Sequence, residues 1–253
     1  MNILITYAVE AEFAPWRALN MEKVTVGSVT SHRAHIGRAT VDFVITGMGA
    51  VNATRVANAV ISNSYSVCFI AGFAGALQSA VKLGDIVACE RVQHHANHQI
   101  EICDPDLLAH ASENGATRIA TLLTADHVVN TATEKNRLSE LAEAVDMESF
   151  AILHAANKKK VPCAVVRVIS DSFDRDMPAE LGTMVDPQGH VKITCVVRFV
   201  AKHPLMVPAL VRLGRDSKTA AEALAHFLES FINKLSIATN DNPPPALQDV
   251  ATS

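Results

Sequence analysis

The chain has 253 residues, 49% hydrophobic and 19% charged, with a mean hydropathy of +0.19; that is globular composition and excludes a disordered chain. Lys plus Arg number 22 against 26 Asp plus Glu, and the resulting net charge of −4 leaves no basic footprint for nucleic acid or an anionic membrane. The five cysteines, at 68, 89, 103, 163 and 195, form no CxxC pair and are odd in number, which argues against a disulfide or zinc framework and for buried, reduced thiols in a cytoplasm.

The opening residues, MNILITYAVEAEF, have no basic segment, and Glu10 and Glu12 follow a single short apolar run, so no targeting signal is expected. The longest uncharged apolar stretch, residues 67–77, is about half the ~20 residues that span a bilayer. Short β-branched runs then alternate with helical patterns. Residues 3–7 predict the first strand, 40–46 (TVDFVIT) the second and 67–71 (VCFIA) the third; 85–92, 118–124 and 163–170 (CAVVRVIS) follow. Near-continuous apolar strands mark a sheet buried on both faces. Residues 50–62 carry Ala53, Val56, Ala57, Val60 and Ile61 on one helical face. Asp104-Pro105 reads as an N-cap followed by proline at the first helical position. Asp146 can cap a helix running to the three lysines at 158–160. Residues 217–235 form the last helix. This order predicts one α/β domain over residues 1–236 with a largely parallel sheet. The proline-containing stretch 237–253 should be a frayed tail.

Between a strand and the helix at Ala50 lies Gly47-Met48-Gly49. A glycine turn opening a helix presents backbone N–H groups to an anion or a sugar. It is not a dinucleotide fingerprint, because Asn52 stands where the third glycine belongs. Three acids follow predicted strands: Glu12, Glu148 in VDMESFA (145–151), and Asp171 in VRVISDSFD (166–174). Ligands of open α/β sheets bind at that edge, and three carboxylates there make an acid/base constellation. His94, His95 and His98 lie within five residues, but they read as a solvated loop cluster and no metal is expected. Arg33 and Arg38 read as surface residues.

These motifs resemble the nucleoside phosphorylase superfamily, and within it the 5′-methylthioadenosine/S-adenosylhomocysteine nucleosidases. The resemblance rests on MNILITYAVEAEF, ITGMGAVNA (45–53), IAGFAGAL (70–77), VKLGDIV (81–87), VDMESFA and VPCAVVRVISD (161–171). It implies a single α/β domain with a mixed central sheet surrounded by helices, no cofactor, a small-molecule purine nucleoside as substrate, and a homodimer. It implies that Glu12 activates the attacking water and that Arg167 lies near it. Glu148 accepts from the ribose 2′- and 3′-hydroxyls, with Met147 under the sugar, and Asp171 protonates N7 of the departing purine. Backbone around Val128 and Val129 lines the base, with His127 in the same stretch, and Phe73, Ala74 and Ser170 adjoin the substrate. Phe73 stands where the family often has serine, and residues 7–12 hold no arginine; both favour hydrolysis over phosphorolysis. The remaining alternatives are a phosphate-dependent phosphorylase and a nucleoside-binding protein without catalysis. Residues 177–228 resemble the C-terminal region of hopanoid-associated nucleoside phosphorylases. Within them the apolar, proline-punctuated run at 196–197, 199–200 and 204–211 reads either as a wall at the 5′-side of the pocket or as a segment packed on the sheet.

Overall fold

The computed structural model of the protein describes residues 1–177 and 207–241. The hopanoid-like resemblance at 177–228 and the apolar run at 196–211 therefore lie largely, and Cys195 wholly, outside the described residues. Strand β1 (Asn2–Tyr7) leads into a one-turn helix α1 (Glu10–Phe13) and a 3₁₀ turn (Ala14–Ala18). Strands β2 (Glu22–Val26), β3 (Val29–Ile36) and β4 (Ala39–Ile45) precede helix α2 (Ala50–Val60). Next come β5 (Val67–Ala76), β6 (Ile86–His94), β7 (Ile100–Ile102), α3 (Pro105–Glu113) and β8 (Thr117–Thr124). The chain continues through α4 (Ala132–Leu138), β9 (Ala144–Asp146), α5 (Ser149–Lys158), β10 (Cys163–Asp171) and α6 (Val207–Asp241).

Among the described residues, ten strands join one sheet in the order β10-β6-β8-β9-β5-β1-β4-β3-β2, with β7 beside β6. β10 also pairs with β5, so β5, β10, β6, β8 and β9 close into a ring. The sheet is mixed, as the family resemblance implied, and not largely parallel, as the alternation of strands and helices alone suggested. β1–β4, β1–β5, β5–β10, β6–β8 and β8–β9 are parallel. The β2–β3–β4 meander and the β5–β9, β6–β7 and β6–β10 pairs are antiparallel.

The apolar runs have a physical cause in this layering. In β5, Cys68 and Ile70 pack into one core, while Val67, Phe69 and Ala71 pack into the other. A strand covered on both faces has no polar side to alternate with. On the first face, α2 and α5 supply Val56, Val60 and Leu153. On the second, α6 supplies Leu224, Leu228 and Phe231, and Phe231 meets Phe69 with ring centroids 5.2 Å apart. Spacings of three and four put these residues on one stripe of the helix. α6 continues to Asp241, beyond the expected boundary at 236. The Asp104 cap forms as expected, with its carboxylate accepting from the backbone N–H groups of Asp106 and Leu107. Cys68, Cys89, Cys103 and Cys163 are buried free thiols. Among the described residues no helix is long and apolar enough to cross a membrane.

Candidate active site

The C-terminal ends of β1, β4, β5, β9 and β10 converge on one cavity of about 310 Å³. β1 delivers Ala8, Val9 and Glu12; the turn after β4 delivers Met48; β5 delivers Phe73, Ala74 and Gly75. β9 and the start of α5 supply Val145, Asp146, Met147 and Glu148, and β10 supplies Ser170 and Asp171. His127, Val128 and Val129 form another wall, and Met177 and Ser217 complete it. Every expected site residue except Arg167 lines this cavity.

Glu12 is 4% exposed and held at three points. Its Oε2 accepts from the N–H of Ala8 at 2.7 Å and of Val9 at 3.1 Å, and its Oε1 accepts from the N–H of Phe73 at 2.7 Å. Burial raises its pKa, while the Arg167 cation and these three N–H donors pull the other way. A carboxyl raised by burial is a better proton acceptor from water than an exposed one.

Glu148 is 6% exposed, and its Oε1 accepts from the N–H of Gly49 at 2.7 Å. The glycine turn thus aims its donor at a carboxylate of the chain itself. Gly49 has φ +84, which suits glycine. Burial, then the neighbouring Asp146 charge, push the Glu148 pKa up to about 8, against the pull of Arg167 and the Gly49 N–H. A raised carboxyl binds its proton more tightly folded than unfolded. Its contribution to stability is therefore greatest below pH 4.5, its ordinary value, and declines as pH rises towards 8. Glu148→Gln removes that decline. The variant should gain stability over the parent between pH 5 and pH 8, by the order of a few kcal/mol at the upper end. Thermal melts at the two pH values check this; an offset that does not grow with pH would show that Glu148 carries no burial cost.

Arg167 was expected near the nucleophile. It is 2% exposed and not among the lining residues, but it lies beside Glu12: its guanidinium and the Glu12 carboxylate both flank Gly72, and its charge acts on Glu12. Its guanidinium donates to Asp146 Oδ2 at 2.5 Å, Ser149 Oγ at 2.9 Å and the Ala71 carbonyl at 3.2 Å. Burial alone would favour loss of its proton, but Asp146, Glu12 and Glu148 outweigh that and raise its pKa. Asp146, read from sequence as a helix cap, is more than that. It accepts from the Ser149 N–H at 3.0 Å as a cap does, and also from Thr124 Oγ1 at 2.7 Å and from Arg167.

The glycines of β5 make room for these charges. Arg167 lies opposite Gly72 across the β5–β10 ladder, and a Cβ at Gly72 would run into the Arg167 guanidinium and the Glu12 carboxylate. A Cβ at Gly75 would come within 2.9 Å of Asp171 Oδ2. Asp171 follows a register shift between Ile169 and Asp171 in that ladder. Ser170 Oγ donates to its Oδ1 at 3.1 Å, and Lys135 Nζ donates to its Oδ2 at 2.5 Å.

His127 Nε2 pairs with Glu134 Oε1 at 2.8 Å on the cavity wall. His94 sets its ring edge-on to Phe150, and His98 Nδ1 meets Gln93 Nε2 at 3.3 Å. Among the described residues no His, Cys, Asp and Glu cluster is arranged to hold a metal ion. Arg33 forms a two-point ion pair with Asp42 at 2.7 and 2.8 Å.

The fold has well-populated company. The Helicobacter pylori 5′-methylthioadenosine/S-adenosylhomocysteine nucleosidase with butyl-thio-DADMe-Immucillin-A superimposes with a TM-score of 0.70 at 19% identity, over 92% of this chain and 98% of that one. The Neisseria meningitidis enzyme with methylthio-immucillin-A gives 0.71 at 19% identity, over 92% and 99%. Native futalosine hydrolase of Helicobacter pylori gives 0.70 at 20% identity, over 92% and 98%. At these identities the likeness is one of fold. The sequence model described as the phosphorylase superfamily matches residues 2–189, well over half of the chain. With that match, and with the strand ends and acids arranged as above, the chain belongs to the phosphorylase superfamily.

Proposed function

We propose that the protein is an N-ribosyl hydrolase that cleaves the N-glycosidic bond of a 5′-substituted purine nucleoside. The observation that carries this reading is the convergence of Glu12, Glu148 and Asp171 on one cavity with a largely apolar lining. Breaking the bond builds positive charge on the sugar and negative charge on the base. Asp171 supplies the proton to the purine, which general acid catalysis makes worth roughly 10²–10⁴ in rate. Glu148 accepts from the ribose diol and favours the developing cation. Glu12 takes the proton of the attacking water. Val128 and Val129 face the base, and Arg167 acts from below by balancing the buried carboxylates.

Two features support water over phosphate as the nucleophile. Among the described residues no Lys or Arg lines the cavity. The N–H groups of Ala8, Val9 and Phe73, which would suit an oxyanion, are already committed to Glu12. A protein that only bound nucleosides would have no need to bury two acids with raised pKa values in its pocket. We extend the reading to a homodimer, for which Val51, 85% exposed beside the glycine turn, offers apolar surface.

The apolar lining from Val9, Met48, Phe73 and Met177 favours an apolar 5′-group. Each buried methylene contributes about 0.8 kcal/mol. Lengthening a 5′-alkylthio-adenosine from methyl to butyl should therefore tighten binding roughly fiftyfold. Competition measurements across that series check the reading; a flat or falling series would exclude the apolar 5′-pocket and point to a small 5′-substituent.

A further inference from the structure

The hydrolytic scheme leaves the buried ammonium of Lys135 without a role. Lys135 sits on α4, whose sequence, ATEKNRL, is mostly polar, yet its side chain is 0% exposed and, with Leu138, forms the helix's buried face. A lysine normally keeps its ammonium in water. This one turns inward and spends its protons on three acceptors: Asp171 Oδ2 at 2.5 Å, the Ser172 carbonyl at 2.7 Å and the Arg175 carbonyl at 3.4 Å. An ammonium has three donors, so its capacity is filled. The same turn is tied to α4 and its approach at two further points. The Ala132 N–H donates to Asp176 Oδ1 at 2.7 Å, and the Met177 N–H donates to the Asn130 carbonyl at 2.8 Å. Met177 is itself part of the cavity wall.

Stability is a poor reason for this arrangement. Well-packed apolar residues in place of a buried ion pair are often neutral or stabilising. What the pair does supply is geometry. One Asp171 oxygen is fixed by Lys135, and the other, Oδ1, carries only the 3.1 Å contact from Ser170 Oγ, so it is the oxygen left to carry the proton that passes to the purine. Asp171 pairs with Gly75 just past the register shift in β10, and among the hydrogen bonds to its side chain from the described residues the Lys135 ammonium is the one from outside its own strand.

We propose that Lys135 is a positioning residue for base departure: it clamps Asp171 by one oxygen so that the other meets the purine, and it holds the turn 172–177 as part of the cavity wall. The inference rests on the reading that Asp171 serves the leaving base. Lys135 acts through Asp171 and need not touch the substrate.

The test is a double-mutant cycle on the full chain with 5′-methylthioadenosine as the probe substrate. Lys135→Met should lower kcat by tens of fold, up to the about 10²-fold that a small misplacement costs, with KM changed by less than about threefold. Lys135→Arg, which keeps the cation, should recover most of the loss. In the Asp171→Asn background, Lys135→Met should change kcat less than about twofold, because the residue it positions has already lost its function. If the losses multiply in the double variant, or if Lys135→Met leaves kcat unchanged, the proposal is overturned. Failure of Asp171→Asn alone to lower kcat overturns the base-protonation reading, a separate outcome. Should Lys135→Met not fold, Lys135→Gln, which keeps hydrogen-bond donors for the two carbonyls, is compared in the same two backgrounds and read by the same criteria.

Discussion

Asp171→Asn should lower turnover by about 10²-fold or more while nucleoside binding stays within a few-fold of the parent. The asparagine fills the same space between Gly75 and Lys135 and still offers an oxygen to the ammonium. What it lacks is a proton to give. The departing purine then leaves as an anion in an apolar cavity, where uncompensated charge is costly. A substrate that arrives already charged distinguishes this cause from simple misplacement. A 7-methylpurine nucleoside carries its positive charge on the base before cleavage and needs no proton at N7, so the variant should cleave it nearly as well as the parent does. Equal losses on both substrates would mean that Asp171 does something other than protonate the base. Near-normal turnover on both would remove it from the reaction.

Arg167→Met should have the largest effect on stability. The guanidinium is the one cation paired, among the described residues, with Asp146, and Asp146, Glu12 and Glu148 all act on it from close by. Removing one partner of a buried pair costs about 3–5 kcal/mol. For a chain of this length that corresponds to a fall of roughly 10 °C in Tm. The loss should have a pH signature. Glu12 and Glu148 already have pKa values raised above 4.5, and loss of the cation raises them further. Below about pH 8 the folded parent already holds the Glu148 proton, so the Glu148 share of the deficit should be nearly constant up to pH 8 and should grow above it. Melts of parent and variant at about pH 6 and about pH 9.5 decide it. A deficit independent of pH would mean that the methionine merely packs badly and that Arg167 does not balance the carboxylates.

The legible parts of this molecule are those fixed by local chemistry. β1, β4, β6, β8 and β10 follow from apolar runs, because a strand buried on both faces reads as nearly continuous Val, Ile, Leu and Phe. The β2–β3 hairpin does not, since KVTVGSVTSHRAHI mixes Lys, Ser, His and Arg into its exposed positions, and its turn at Gly27 is a single glycine. β7 and β9 are three residues each, too short for any periodicity. Strand direction depends on which partner lies alongside, which is why local patterns suggested a parallel sheet where half the pairings are antiparallel.

The site divides along the same line. Glu12 and Asp171 were visible as acids just past predicted strands, where α/β sheets bind ligands, and Glu148 as an acid at the start of a predicted helix. Gly49 was visible as a helix-opening turn, but its partner, Glu148, lies 99 residues away. Arg167 and Asp146 are 21 residues apart and Lys135 and Asp171 are 36 apart, and nothing local to either sequence marks them as pairs. Lys135 is the extreme case: on a polar helix of ordinary composition, only the tertiary structure shows that this lysine faces inward.

The nature of the nucleophile is read most directly from the products. The full-length protein is incubated with 5′-methylthioadenosine in ¹⁸O-enriched water, with and without inorganic phosphate, and the products are followed by mass spectrometry. The account predicts adenine and a free 5′-methylthioribose carrying one ¹⁸O atom, at a rate that phosphate does not raise. A sugar 1-phosphate as the main product, formed only when phosphate is present, would contradict it.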